Sequence, residues 1–252
     1  MKSRSKDIRF SEDIARISAF RSATRMASPA ERVAAGKALR DKIPRKQHGV
    51  WNADKARSNP IDLLRKLDVG RMKKLVPIRY SRMLQSPFAF YRGAAGVMAS
   101  DLARVPTTEL KVQACGDCHL MNFGGFATPE RNVIFDINDF DETSPAPWEW
   151  DVKRLVASVV LAGRANGLSD NQSRDCAVSC ARRYREHMSE FSKMDPLRVW
   201  YAKTSAAAFI ESLPAGLRKN VQKRIEKAAA RSGSELDFPK LASSVGGQIN
   251  RR

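Results

Sequence analysis

The sequence predicts an α+β fold, mostly helical, with a short β hairpin carrying a cluster of acidic residues, and three observations carry that prediction. Apolar residues recur at helical spacing after the centre of the chain, as Val152, Leu155, Val156, Val159 and Val160, then as Cys176, Cys180, Tyr184, Met188 and Phe191. Two short runs, Lys111 to Ala114 and Asn132 to Ile137, have strand character and turn residues beside them. Finally, 42% apolar and 29% charged residues over 252 positions describe a chain able to bury a real core.

In order, residues 1–27 are rich in Arg and Ser and read as a mobile arm or a short amphipathic helix; a basic N-terminal arm is expected over residues 1–35. Ser28-Pro29-Ala30-Glu31 is a capping box with proline at the first helical position, because a serine hydroxyl and a glutamate three residues on satisfy orphan N–H groups reciprocally. Pro44 stops that helix, and a polar, turn-rich stretch reaches Pro60. A helix follows over Ile61 to Leu67; after Gly70 the segment Leu75 to Met83 carries Pro77, and Ser86-Pro87 reads as a turn. Phe88, Phe90 and Tyr91 then lead through Arg92-Gly93 into a small-residue helix, Ala94 to Ala103.

The two predicted strands form a hairpin-like pair, with a loop from Cys115 and the acidic run Asp136, Asn138, Asp139, Asp141 and Glu142 at their ends. A helix starts near Trp148 and ends near Gly167; Ser169 caps a longer one; others run from Pro196 to Leu213 and from Gly216 to Arg231. Residues 232–252 carry no packing signal and read as a disordered or cut-short tail.

Charge is distributed unevenly. Residues 1–80 hold 21 Lys and Arg against 8 Asp and Glu, residues 81–170 hold 8 against 11, and residues 171–252 hold 16 against 8, giving +18 in total. Basic flanks around an acidic centre suit an acidic partner or a nucleotide, but no zinc-finger spacing or aromatic RNA-binding signature marks a nucleic-acid module. No apolar run is long enough to span a membrane and no leader is evident, so the expected location is the cytoplasm.

Chemistry concentrates between Ala114 and Asp151. Asp117 and Asn122 stand five apart, the Asp-x-x-x-x-Asn spacing of a kinase catalytic loop, and Asp136 and Asp139 follow a strand. A hard cation such as magnesium takes oxygen ligands, only one or two of them carboxylates, and leaves its other positions to water and phosphates. Asp117 is therefore the candidate proton acceptor, Asn122 with Asp139 or Asp136 the candidate metal ligands, and ATP the hypothetical phosphoryl donor. His119 is expected to orient the loop, Asp151 to accept hydrogen bonds at a helix N-terminus, and Arg92 to meet either a phosphate or a carboxylate.

The same stretch admits rivals. Cys115-Gly116-Asp117-Cys118-His119 fits the C-x-x-C-H haem-attachment pattern, which requires export. Cys115, Cys118, Cys176 and Cys180 have zinc-like spacing, although the latter pair falls on an apolar helical stripe, where cysteine behaves as a small hydrophobe. A reducing compartment disfavours disulfides, and neither haem nor zinc is expected.

Four strings in order, RYSRMLQSPFAFYRGAA, CGDCHLMNFGGFATPE, FDINDFDE and PWEWDVKRLVAS, closely resemble the bacterial domain-of-unknown-function family 2252, from about Gly36 onward. The resemblance implies a protein-kinase-like catalytic lobe over residues 36–231 and a phosphotransferase acting on a small-molecule or protein hydroxyl. It implies Asp117 as base, Asn122 as metal ligand, Asp139 as the metal-binding Asp of an Asp-Phe-Gly-like element with Asp136 competing, and Asp151 as the buried helix Asp that steadies the loop. Two departures go with it. Cys115 stands where aminoglycoside-phosphotransferase loops usually have His, and members of the family are usually longer, with a Gly-rich segment and lysine-bearing strand after the catalytic motifs. The expectation is thus a shortened chain without its nucleotide-holding lobe and inactive alone; the alternative is a non-catalytic binding or scaffold protein.

Overall fold

In the computed structural model the described residues are 27–51, 57–130, 132–229, 242–245 and 248–251, so residues 1–26 of the expected arm lie outside them. The chain divides into two units, Met1–Asn52 with Val105–Thr108 and Ala53–Arg104 with Glu109–Arg252.

In the first unit, helix α1 (Pro29–Lys42) starts as the capping box requires: Glu31 N–H donates to Ser28 Oγ at 3.3 Å, and Ser28 N–H donates to Glu31 Oε2 at 2.6 Å. It ends before Pro44, and a 3-10 turn follows over Arg45–Gly49.

The second unit begins with four short helices, α2 (Pro60–Leu67), α3 (Val76–Met83), α4 (Pro87–Arg92) and α5 (Ala95–Leu102). Asn59 caps α2 through a 2.8 Å bond from Ile61 N–H. Ser86-Pro87, expected as a turn, is instead a helix start: Ser86 Oγ accepts from Ala89 N–H at 3.0 Å and Pro87 takes the first helical position. These helices close on Leu64, Met83, Ala94 and Val97, with Leu63, Tyr80 and Phe90 packed against them.

The strands pair differently from the sequence expectation. β1 (Lys111–Ala114) does not pair with β3 (Val133–Ile137); it runs antiparallel to β4 (Ser144–Pro147), with Ala114 opposite Ser144. β3 pairs with β2 (Phe123–Ala127), Phe123 opposite Ile137, and takes β5 (Thr204–Ser205) on its other edge. β2 and β4 escape sequence reading because one holds Gly124-Gly125 and the other two prolines, residues that strand propensity disfavours. Proline is tolerated in β4 because β1 is its only partner among the described residues, so the strand is an edge. The result remains α+β, predominantly helical with small antiparallel sheets.

Two long helices pack against each other. α6 (Glu149–Ala165) buries Glu149, Arg154, Ser158 and Gly163, whereas its valine stripe is only half-buried. α7 (Asp170–Phe191), capped by Ser169 with Gln172, buries Ser173 and Ala177 and half-buries Cys180, Tyr184 and Phe191, so the expected stripe turns inward in part while its members Cys176 and Met188 stay exposed. The two helices approach closely at Gly163, where an added Cβ would lie 2.7 Å from Ser173 Oγ. Trp148 stacks on Tyr184 at 5.9 Å.

The helix expected over Pro196 to Leu213 is broken into α8 (Pro196–Trp200), β5 and α9 (Ala206–Ser212), with Ser205 capping the last. Phe209 stacks on Phe135 at 4.2 Å, which fixes α9 against β3. The basic helix is α10 (Ala215–Ala229), and Arg231 lies outside the described residues. In the tail, β6 (Ala242–Val245) and β7 (Gln248–Arg251) pair antiparallel.

Candidate functional site

The loop from Cys115 to Asn122 leaves the end of β1 and enters β2, and its first turn is held from behind by α6. Asp151 Oδ2 accepts from Cys115 N–H at 2.7 Å and Oδ1 from Gly116 N–H at 3.1 Å. A carboxylate in the first helical turn is favoured by the helix dipole, and here it also satisfies two loop donors. Gly116 has φ +84, and a Cβ there would stand 2.2 Å from the Glu142 carbonyl oxygen, so only glycine fits.

Asp117 is gripped by a residue the sequence reading passed over. Arg154, 2% exposed, donates from Nε to Asp117 Oδ1 at 2.6 Å, and its Nη2 also contacts that oxygen. The same Nη2 donates to the Tyr91 carbonyl at 2.8 Å, the guanidinium lies 4.4 Å from the Tyr91 ring centroid, and Tyr91 Oη donates to the Arg154 carbonyl at 2.9 Å. Burial pushes the Tyr91 phenol up to about 12, so it remains a donor.

Asn122 is buried, and its Nδ2 donates to the Asp117 carbonyl at 3.1 Å, to the Asp139 carbonyl at 3.0 Å and to Cys115 Sγ at 3.5 Å. Its amide nitrogen thus ties the Asp117 loop to the Asp139 segment. Cys115 Sγ donates in turn to the Asp139 carbonyl at 3.5 Å. Leu120 N–H donates to Ser158 Oγ at 2.9 Å, a second support from α6.

His119 is buried beside Asp117, with Nε2 3.7 Å from Oδ2 and Nδ1 without a hydrogen-bond partner among the described residues. Burial holds its imidazole below the ordinary value; Asp117 opposes that, and the Arg154 and Arg92 charges add to it. The loop contacts around it are main-chain: His119 N–H donates to the Asp117 carbonyl, and its own carbonyl accepts from Asn122 N–H, both at 2.8 Å.

Asp139 and Asp136 part company. Asp139, after β3, lines a cavity of about 980 Å³ together with Asp117 and His119, and its Oδ1 accepts from Asp141 N–H at 3.1 Å. Asp136, exposed on β3, is not among the lining residues; its Oδ1 accepts from Ile137 N–H at 2.8 Å. Glu142 is pushed up by burial and by the nearby Asp117, Asp139 and Asp141 charges.

The rest of that cavity comes from residues 70–93, which contribute Arg71, Arg79, Arg82 and Arg92. Arg92 is exposed there and makes no hydrogen bond or ion pair among the described residues. No three His, Cys, Asp or Glu side chains among the described residues converge as a metal-ligand group. Cys115 and Cys118 are free, buried thiols whose burial raises their pKa.

The sequence profile of a family described as "Uncharacterized protein conserved in bacteria (DUF2252)" matches residues 71–252. The chain belongs to that family. No curated protein and no solved structure matches it. The DUF2252 match opens at Arg71, later than the Gly36 expected from the motifs, and takes in every residue of the site and all but one lining the cavity.

Arg154 and Ser158 carried a signal that went unused. With Asp151 they stand at i, i+3 and i+7, a polar stripe on one face of a helix that also carries the valine stripe. All three reach the DUF2252 loop.

Proposed function

We propose that this region is a magnesium-dependent phosphoryl-transfer site on a protein-kinase-like catalytic lobe, acting on a hydroxyl of a small molecule or protein. The observation that carries the reading is the use of Asn122: its amide nitrogen is spent on the Asp117 and Asp139 carbonyls, which leaves Oδ1 without a hydrogen bond among the described residues, though Asn122 is buried and is not among the residues lining the cavity. The donors at hand are hard oxygens, one carboxylate and one amide, and they fit magnesium better than a thiophilic metal. Asn122 and Asp139 would hold the ion, and bound magnesium would neutralise phosphate charge.

Asp117 would accept the acceptor's proton through Oδ2, since Oδ1 is engaged by Arg154. Arg154 is a positioning residue in this reading: it fixes the carboxylate rotamer against Tyr91. Phosphoryl transfer asks little covalent work of a protein, so a rigidly aimed carboxylate suffices. Arg92, facing the same cavity, supplies positive charge for phosphate oxygens.

A second reading, a binding module without turnover, is favoured by one observation: the Asp117 carboxylate already has a buried cationic partner. In that reading the basic surface serves an acidic partner and the cavity retains a ligand.

Calorimetric titration of ATP, with and without magnesium, tests the proposal. The expected result is magnesium-dependent binding that Asp139→Ala abolishes and Asp136→Ala keeps. A folded chain that binds no nucleotide, or equal loss in both variants, refutes it. Magnesium-dependent binding without phosphate release or transfer in any acceptor screen favours the second reading.

A further inference from the structure

The cavity in front of Asp117 and Asp139 has a wall that phosphoryl-transfer chemistry alone does not account for. Of its four arginines, Arg79 is spent, donating to Asp68 Oδ1 at 3.2 Å and to the Gly93 carbonyl. Arg71 donates to the Leu67 carbonyl at 3.2 Å and lies 3.9 Å from Asp68. Arg82 and Arg92 are different. Both are exposed, both line the cavity, and neither makes a hydrogen bond or ion pair among the described residues.

Beside these two cations the wall is apolar. Met72, Leu75 and Ile78 line the same space and keep 56%, 48% and 48% of their surface exposed. Leu75, Ile78 and Arg82 stand at i, i+3 and i+7 from the turn before α3 to its last turn, so one helical face passes from apolar to cationic. A space of about 980 Å³ is at the upper end of the range for metabolite pockets and far exceeds a lone phosphate.

We infer that this cavity binds an amphiphilic phosphate-type ligand, its anionic head on Arg82 and Arg92 and its apolar body along Met72, Leu75 and Ile78. Two guanidinium forks without protein partners match a phosphate's oxygens, and solvent-facing apolar side chains in a concave site gain from being covered. The inference shares its cavity with the proposed transfer site and rests on that reading for which end of the ligand would react. The head group could belong to the nucleotide or to the acceptor, a distinction the test resolves.

The probes are hexyl phosphate, inorganic phosphate and hexanol, titrated calorimetrically into the full chain, Arg82→Gln/Arg92→Gln and Asp139→Ala. Each fully buried methylene is worth about fourfold in affinity, so hexyl phosphate is expected to bind at least about tenfold tighter than inorganic phosphate. The double arginine variant should lose about tenfold or more with an unchanged near-UV dichroism spectrum, hexanol should bind far more weakly, and Asp139→Ala should still bind hexyl phosphate. Displacement of hexyl phosphate by ATP with magnesium assigns the seat to the donor's phosphates; simultaneous binding assigns it to the acceptor. Equal binding of hexyl and inorganic phosphate, or an unaffected double variant, overturns the inference. Hexyl phosphate binding that survives while ATP fails to bind sinks the transfer reading and leaves this one standing.

Discussion

Replacing Arg154 by Met keeps the aliphatic stem and removes the charge that faces Asp117. In the folded chain Arg154 is 2% exposed and the Asp117 side chain 16% exposed, so the carboxylate left behind has little water to turn to. Breaking one partner of a buried ion pair costs about 3–5 kcal/mol, against about 0–1 kcal/mol for an exposed pair. The lost hydrogen bond to the Tyr91 carbonyl acts in the same direction. Arg154→Met should therefore lower unfolding free energy by about 4 kcal/mol, roughly a thousandfold in the folding equilibrium.

Urea unfolding followed by tryptophan fluorescence reads this out. The combination Arg154→Met/Asp117→Asn removes both charges, and should be more stable than Arg154→Met alone, with a coupling energy of about 1–3 kcal/mol. A single variant that loses less than about 1 kcal/mol, or a double variant equal to the sum of the singles, would show that Arg154 does not hold the loop.

Gly116→Ala should be still less tolerated, because a positive φ costs about 1–2 kcal/mol before the 2.2 Å clash with the Glu142 carbonyl is counted; a melting point within a degree or two of wild type would contradict this. Asp151→Asn keeps one acceptor oxygen for Cys115 and Gly116 but loses the charge, for an expected loss of about 1.5–3 kcal/mol in the same unfolding assay, whereas unchanged stability would place those N–H groups elsewhere. Because His119 is held below its unfolded value near 6.5, the unfolded chain protonates first on acidification, so the stability His119 allows is complete above about pH 6.5 and falls as pH drops toward the folded value. His119→Gln should flatten the melting-temperature profile in that window, and an identical slope in both proteins would refute the assignment.

Two helix starts were legible because capping is local: Ser28 with Glu31, and Ser169 with Gln172, satisfy donors three residues away, so four residues of sequence hold the whole signal; the starts at Ser86 and Ser205, capped without a Glu or Gln three residues on, were not. Strand pairing is not local. Nothing near Lys111 says that it will face Pro147 rather than β3, and Gly124-Gly125 and Ser144-Pro145-Ala146-Pro147 contradict the propensities by which strands are recognised. At the site, Asp117, Asn122, Asp139 and Asp151 could be named from spacing, but only three dimensions divide Asp139 from Asp136, since the cavity takes one and leaves the other on a strand. Arg154 stayed hidden because a charged residue among valines is ordinarily solvated. Its partner lies 37 residues away.

Asp151, Arg154 and Ser158 turn α6 into a ruler. At about 1.5 Å per residue, Asp151 and Ser158 lie about 10 Å apart along one axis, and between them they hold the start, the middle and the end of the Cys115–Leu120 loop. A single residue inserted between Asp151 and Arg154 would rotate everything beyond it by about 100° and swing both later contacts off the loop together. Substitutions elsewhere in this helix can be absorbed one at a time, but a change in its length cannot, so the spacing of these three polar residues is fixed more strictly than most of the residues between them.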